Sequence, residues 1–115
     1  MKRVCSLVMA GLLVGSAGLA AEPTPAAGDA KVGRETFLKS GCDQCHGREG
    51  QGSPTSGPKL GPSPPPLAAF TAFVRRPPQQ MPPYGPLILS DGELADIHAY
   101  LSSRPPPPAN AKLPP

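Results

Sequence analysis

Two thiols and an imidazole lie within five positions in Cys42-Asp43-Gln44-Cys45-His46. At this spacing each thiol can add to one vinyl group of a single haem, giving two thioether bonds. The histidine that follows is then held beneath the iron, where a ring nitrogen can ligate it. Three other chemistries use similar residues. A thioredoxin-like redox pair needs a strand before the motif and an α/β surround. A structural zinc site needs a fourth ligand, which His98 alone supplies poorly. A disulfide across two residues is the third. Covalent haem fits the spacing and the adjacent histidine best, and the others stay open at this point.

A second iron ligand is available in Met81, which sits between Gln80 and Pro82. A lone methionine is often core filler. Here it falls in a proline-rich stretch outside any amphipathic stripe, and prolines on its C-terminal side would stiffen the loop that carries its thioether. The rival ligand is His98, next to the packing residue Ile97 in a helical segment.

The elements that must position these groups are short. The 115-residue chain allows one small domain. Lys2 and Arg3, an apolar run from Val4 to Ala20 and small residues at Gly18 and Ala20 form an expected cleaved export signal over 1–20. That places the mature protein in the periplasm and removes Cys5. Residues 21–28 read as a flexible entry and 29–103 as the folded domain. Residues 104–115 read as a proline-rich, polyproline-type tail.

Asp29 can cap a helix from about Ala30 to Ser40 with Val32, Phe37 and Leu38 on its apolar side, ended by Gly41. Gly47 to Pro66 reads as a loop, and Leu67 to Val74 as a short helix opened by Pro66. Gln79 to Leu89 is expected to be extended or turning. Ser90-Asp91-Gly92-Glu93 matches a capping box. Leu94, Ile97 and Leu101 then share one helical face with Tyr100 beside them, up to about Ser103. No segment alternates as a strand should, so the fold is expected to be all-α.

With no Trp, three Phe and two Tyr against 19 Pro, the chain is poor in core material. A domain this small commonly needs a bound group, and a buried porphyrin would supply the missing apolar mass. The formal charge of +3 falls to +1 without Lys2 and Arg3, which gives no reason to expect a nucleic-acid partner. Between Phe37 and Ser90 there are five basic residues (Lys39, Arg48, Lys59, Arg75, Arg76) and two acidic ones (Asp43, Glu49). This half can steer an acidic redox partner; equally, Arg75 or Arg76 can pair with haem propionates.

In order along the chain, Gly33 and Phe37, Cys42-Asp43-Gln44-Cys45-His46-Gly47, Gly57-Pro58-Lys59-Leu60, Met81-Pro82-Pro83-Tyr84 and Leu94 to Leu101 resemble the class I c-type cytochromes. The likeness is nearest to small monohaem bacterial forms and to the haem domains of cbb3-type oxidase subunits. Phe37 stands five positions before Cys42, where the family more often has four. The resemblance implies three to four short helices with long loops around one covalent haem c. It implies His46 as proximal and Met81 as distal ligand, the Pro58 carbonyl accepting from His46, and a last helix crossing the first near its glycine. It also implies an electron carrier rather than an enzyme, monomeric when free and reaching a membrane only through its partners. Those partners would be a donor dehydrogenase or respiratory complex and an acceptor oxidase or reductase. The alternatives are a dedicated cytochrome subunit of a periplasmic dehydrogenase, and a haem sensor or peroxidase that releases Met81.

Overall fold

The computed structural model describes residues 27–106 and Gly18. The expected signal, most of the entry segment and most of the proline-rich tail lie outside the described residues.

Four helices form where local chemistry starts and stops them. Helix α1 spans Ala30–Lys39, and the Asp29 carboxylate accepts from the backbone N–H groups of Lys31 and Val32 at 2.8 and 3.1 Å. Its end is a Schellman motif: the Gly41 N–H bonds to Leu38 O and the Cys42 N–H to Phe37 O, both at 3.1 Å. Gly41 takes φ +75°, which suits a glycine. Gly41, one of the four residues between Phe37 and Cys42, is thus the residue that stops the helix. The same motif turns Cys42 back onto the core that Phe37 enters.

Helix α2 is the single turn Asp43–His46. It lies inside the chemical motif, which the sequence leaves as a bare connection. Helix α3 spans Leu67–Arg75, one residue beyond the expected end, with Pro66 at its N-terminus. Helix α4 spans Asp91–Ser102 and carries both halves of the expected capping box. There, Ser90 Oγ accepts from the Glu93 N–H at 3.2 Å, and the Glu93 carboxylate accepts from the Ser90 N–H at 2.8 Å. Among the described residues there is no strand, only an isolated bridge between Ser53 and Gly57. The all-α expectation holds. No described helix is long and apolar enough to cross a membrane.

The principal packing is α1 on α4, with α3 against α4 as a smaller contact. The core consists of Phe37, Phe70, Val74, Leu89, Leu94, Ile97, Tyr100 and Leu101. Phe37 and Tyr100 meet with ring centroids 5.6 Å apart. One sequence expectation needs correction here, and one core residue goes beyond it. Val32 is 44% exposed, because the face of α1 that meets α4 is set by Gly33 and Phe37. Leu89 lies in an irregular segment as expected, yet is 2% exposed and belongs to the core, which the sequence does not indicate. At the crossing, a Cβ on Gly33 would lie 1.8 Å from the Asp96 carbonyl oxygen. Only a glycine lets the two backbones approach this closely, so the last helix does cross the first at that residue.

Candidate haem site

Cys42 continues the helical conformation of α2 (φ −60°, ψ −33°), and the His46 N–H bonds to Cys42 O at 3.0 Å. Residues three and four apart in a helical turn are neighbours on its surface. The two thiols and the imidazole therefore share one side of a turn. Both cysteines are free thiols, which sets aside the disulfide. Burial pushes the Cys42 thiol up to about 11, so it stays protonated at neutral pH. A thioredoxin-like redox pair needs a readily formed thiolate, which this burial opposes. Among the described residues, no three His, Cys, Asp or Glu side chains converge as a metal site would require.

His46 is 7% exposed. Its Nδ1 lies 2.8 Å from the carbonyl oxygen of Pro58, which can only accept, so Nδ1 carries the proton. In the neutral ring this leaves the Nε2 lone pair for a metal. The Pro58 carbonyl is held in place by its own loop. The Gly52 N–H bonds to His46 O at 2.7 Å, and the N–H groups of Leu60 and Gly61 both reach Gly50 O. Ser56 Oγ donates to Cys45 O at 2.9 Å. Gly57 sits against the motif so closely that a Cβ there would lie 2.7 Å from Cys45 O and 3.1 Å from His46 Nδ1. The Tyr100 hydroxyl donates to Arg48 O at 2.9 Å, tying the loop to α4.

Met81 is half-buried and packs on the same apolar cluster as Cys42, Leu60, Leu67 and Tyr84. Tyr84 fixes its loop beside the motif. Its hydroxyl donates to Ser40 O at 2.9 Å, and its N–H to Val74 O at 3.1 Å. The Tyr84 phenol is raised above its ordinary pKa by burial first, and then by its proximity to Cys42 and Cys45. Two free thiols on one turn, a buried imidazole with Nε2 left as its acceptor, and a thioether on the same core form a donor set that suits a covalently anchored haem.

Two residues weighed for the site make other contacts in the structure. Arg75, offered above as a propionate contact, instead donates from Nη1 to Tyr84 O at 2.8 Å and Leu89 O at 2.6 Å, and from Nη2 to Asp91 Oδ1 at 2.5 Å. Arg76 is exposed and forms no ion pair among the described residues. His98, the rival ligand, donates from Nε2 to Pro65 O at 2.8 Å and meets Phe70 edge-on at 5.6 Å. It pins the loop before α3. The roles of Arg75, Ser56 and Tyr84 escape sequence reading, since each depends on a partner brought near by folding.

Neither curated proteins nor solved structures give a match to the chain. Residues 28–101, from the approach to α1 through nearly all of α4, match the family described as cytochrome c oxidase, cbb3-type, subunit III. Together with the Cys42-x-x-Cys45-His46 motif, the match makes this a haem c-binding electron-transfer protein of the class I cytochrome c fold, and the chain belongs to that family.

Proposed function

We propose that this chain is a periplasmic carrier of single electrons, exported by removal of residues 1–20. In this reading Cys42 and Cys45 would anchor the haem, His46 Nε2 and the Met81 thioether would ligate its iron, and Arg76 would be the residue free to meet a propionate. The observation that carries the proposal is the hydrogen bond from His46 Nδ1 to Pro58 O, which leaves Nε2 as the acceptor nitrogen of a buried ring. Haem supplies a one-electron ferric/ferrous couple.

The protein's part is to hold the ligands still and set the balance of that couple. A soft thioether favours the ferrous state relative to a second imidazole, and a buried site disfavours the extra positive charge of the ferric state. With both ligands supplied by side chains, the iron would have no position left for oxygen or peroxide. This supports outer-sphere transfer over the sensor or peroxidase reading. Family membership favours a terminal oxidase as the acceptor. The second reading, a dedicated subunit of a larger complex, draws on the same membership, and stable co-purification with a large subunit would favour it.

The test is the optical spectrum of the purified protein, oxidised and reduced, with a pyridine haemochrome assay. One haem c per chain is expected, with a methionine–ferric iron charge-transfer band that disappears in Met81→Ala. A band that persists in Met81→Ala removes Met81 from the site.

A further inference from the structure

The segment that carries Met81 has little backbone support of its own. Pro77, Pro78, Pro82 and Pro83 have no N–H to donate, and Gln79 takes a left-handed φ of 65° that an L side chain adopts at a cost. The backbone bonds that hold the segment begin at Tyr84, whose N–H reaches Val74 O, and continue with the turn in which Ile88 and Leu89 bond to Gly85 O. Met81 therefore hangs between two anchors, the end of α3 and the stretch from Tyr84 to Leu89.

One side chain joins those anchors. Arg75 is the last residue of α3, and its side chain is 17% exposed. Its guanidinium reaches the carbonyl of Tyr84, the carbonyl of the buried Leu89 and the carboxylate of Asp91, the first residue of α4. A planar fork with several donors can satisfy three acceptors at once; an ammonium group cannot do so in the same geometry. The two carbonyl bonds are the sheltered ones. Asp91 is 81% exposed, so its arm of the cluster is screened by solvent and weak.

We infer that Arg75 is the positioning residue for the Met81 ligand: by fixing both carbonyls of the loop's exit to α3, it sets how firmly the thioether holds against a competing ligand. This rests on the assignment of Met81 as axial ligand. Arg75 acts through the loop and touches neither ligand nor iron.

The experiment is a titration of the ferric holoprotein with imidazole, followed by loss of the methionine charge-transfer band. Imidazole must displace the thioether, so its apparent affinity reports the opening of the loop. Losing hydrogen bonds from a charged donor to the two carbonyls should tighten apparent imidazole binding about tenfold or more in Arg75→Gln. Arg75→Lys should fall between, and Asp91→Asn should change it by about twofold. Met81→Ala removes what the loop holds, so adding Arg75→Gln to Met81→Ala should leave imidazole affinity, read from the Soret band, unchanged.

An Arg75→Gln effect of equal size in both backgrounds would mean a general structural role and would overturn the inference. So would an unchanged affinity in Arg75→Gln, or in Arg75→Lys should the first variant fail to fold, while Met81→Ala abolishes the band. If Met81→Ala keeps the band, the ligand assignment itself fails, and the two failures are told apart.

Discussion

Replacing Gly33 with alanine sets two effects of known sign against each other. Alanine is favoured over glycine inside a helix by about 1 kcal/mol. Against this, the added Cβ would lie 1.8 Å from Asp96 O, 2.3 Å from Asp96 C and 2.8 Å from Ile97 N, where real Cβ contacts stay above 3.0 Å. All three obstacles are backbone atoms, so no rotamer change relieves them, and α1 and α4 must part by about 1.2 Å. A gap of about 0.5–1 Å already forfeits a quarter to a half of the dispersion energy across a packed contact. The affected interface holds Phe37, Leu94, Ile97, Tyr100 and Leu101, each no more than 2% exposed. Overpacking commonly costs about 1–3 kcal/mol, and a backbone clash belongs at the upper end. The expected net loss for Gly33→Ala is therefore about 2 kcal/mol, read by guanidinium unfolding of the holoprotein with far-UV circular dichroism. Gly92 in α4 is the internal control. A Cβ there has only Ser90 Oγ within reach, at 3.9 Å, so Gly92→Ala should gain up to about 1 kcal/mol. If Gly33→Ala is as stable as the native protein, the close-approach reasoning is refuted.

Two further outcomes follow from the site and its frame. His98→Phe keeps an aromatic ring beside Phe70 but loses the donor to Pro65 O; it should cost about 1 kcal/mol and leave the oxidised and reduced spectra unchanged. A changed ligand spectrum would put His98 on the iron. Glu93 is held below the usual carboxylate pKa by the backbone N–H of Ser90 first and then its hydroxyl. Its stabilising contribution is thus complete above the unfolded value of 4.5 and lost as pH falls through the lower folded value. Melting curves of native protein and Glu93→Gln should therefore differ near neutral pH and converge as the pH falls below 4.5; a constant difference would contradict this.

What the sequence discloses is what depends on neighbours along the chain. Asp29 and Ser90 mark helix starts because their side chains cap N–H groups two or three residues on. Cys42, Cys45 and His46 disclose the cofactor because one helical turn brings them together. Gly33 is legible through family likeness, and its physical reason becomes visible only against Asp96. Arg75 reads as a surface cation until folding delivers the carbonyls of Tyr84 and Leu89. Leu89 itself follows a proline-broken stretch with no periodicity, so nothing local separates it from its exposed neighbours Leu87 and Ile88. Val32 misleads for the opposite reason: its helical position looks apolar, but α4 covers a narrower strip of α1 than the pattern suggests.

The bond from the Tyr100 hydroxyl to Arg48 O joins residues 52 positions apart, and Arg104 extends the link by lying 5.1 Å from the Tyr100 ring centroid and ion-pairing with Glu49. The wall around His46 is thus finished by the last part of the domain to be synthesised. Contacts of such long sequence separation form late, because the intervening chain must first be ordered. Until α4 docks, Cys42 and Cys45 belong to an open peptide accessible from every side; afterwards Cys42 is partly buried against the core. The fold thereby divides the life of this protein into a period in which both thiols lie open and one in which Cys42 is sheltered while Cys45 alone stays exposed, and the arrival of Tyr100 separates the two.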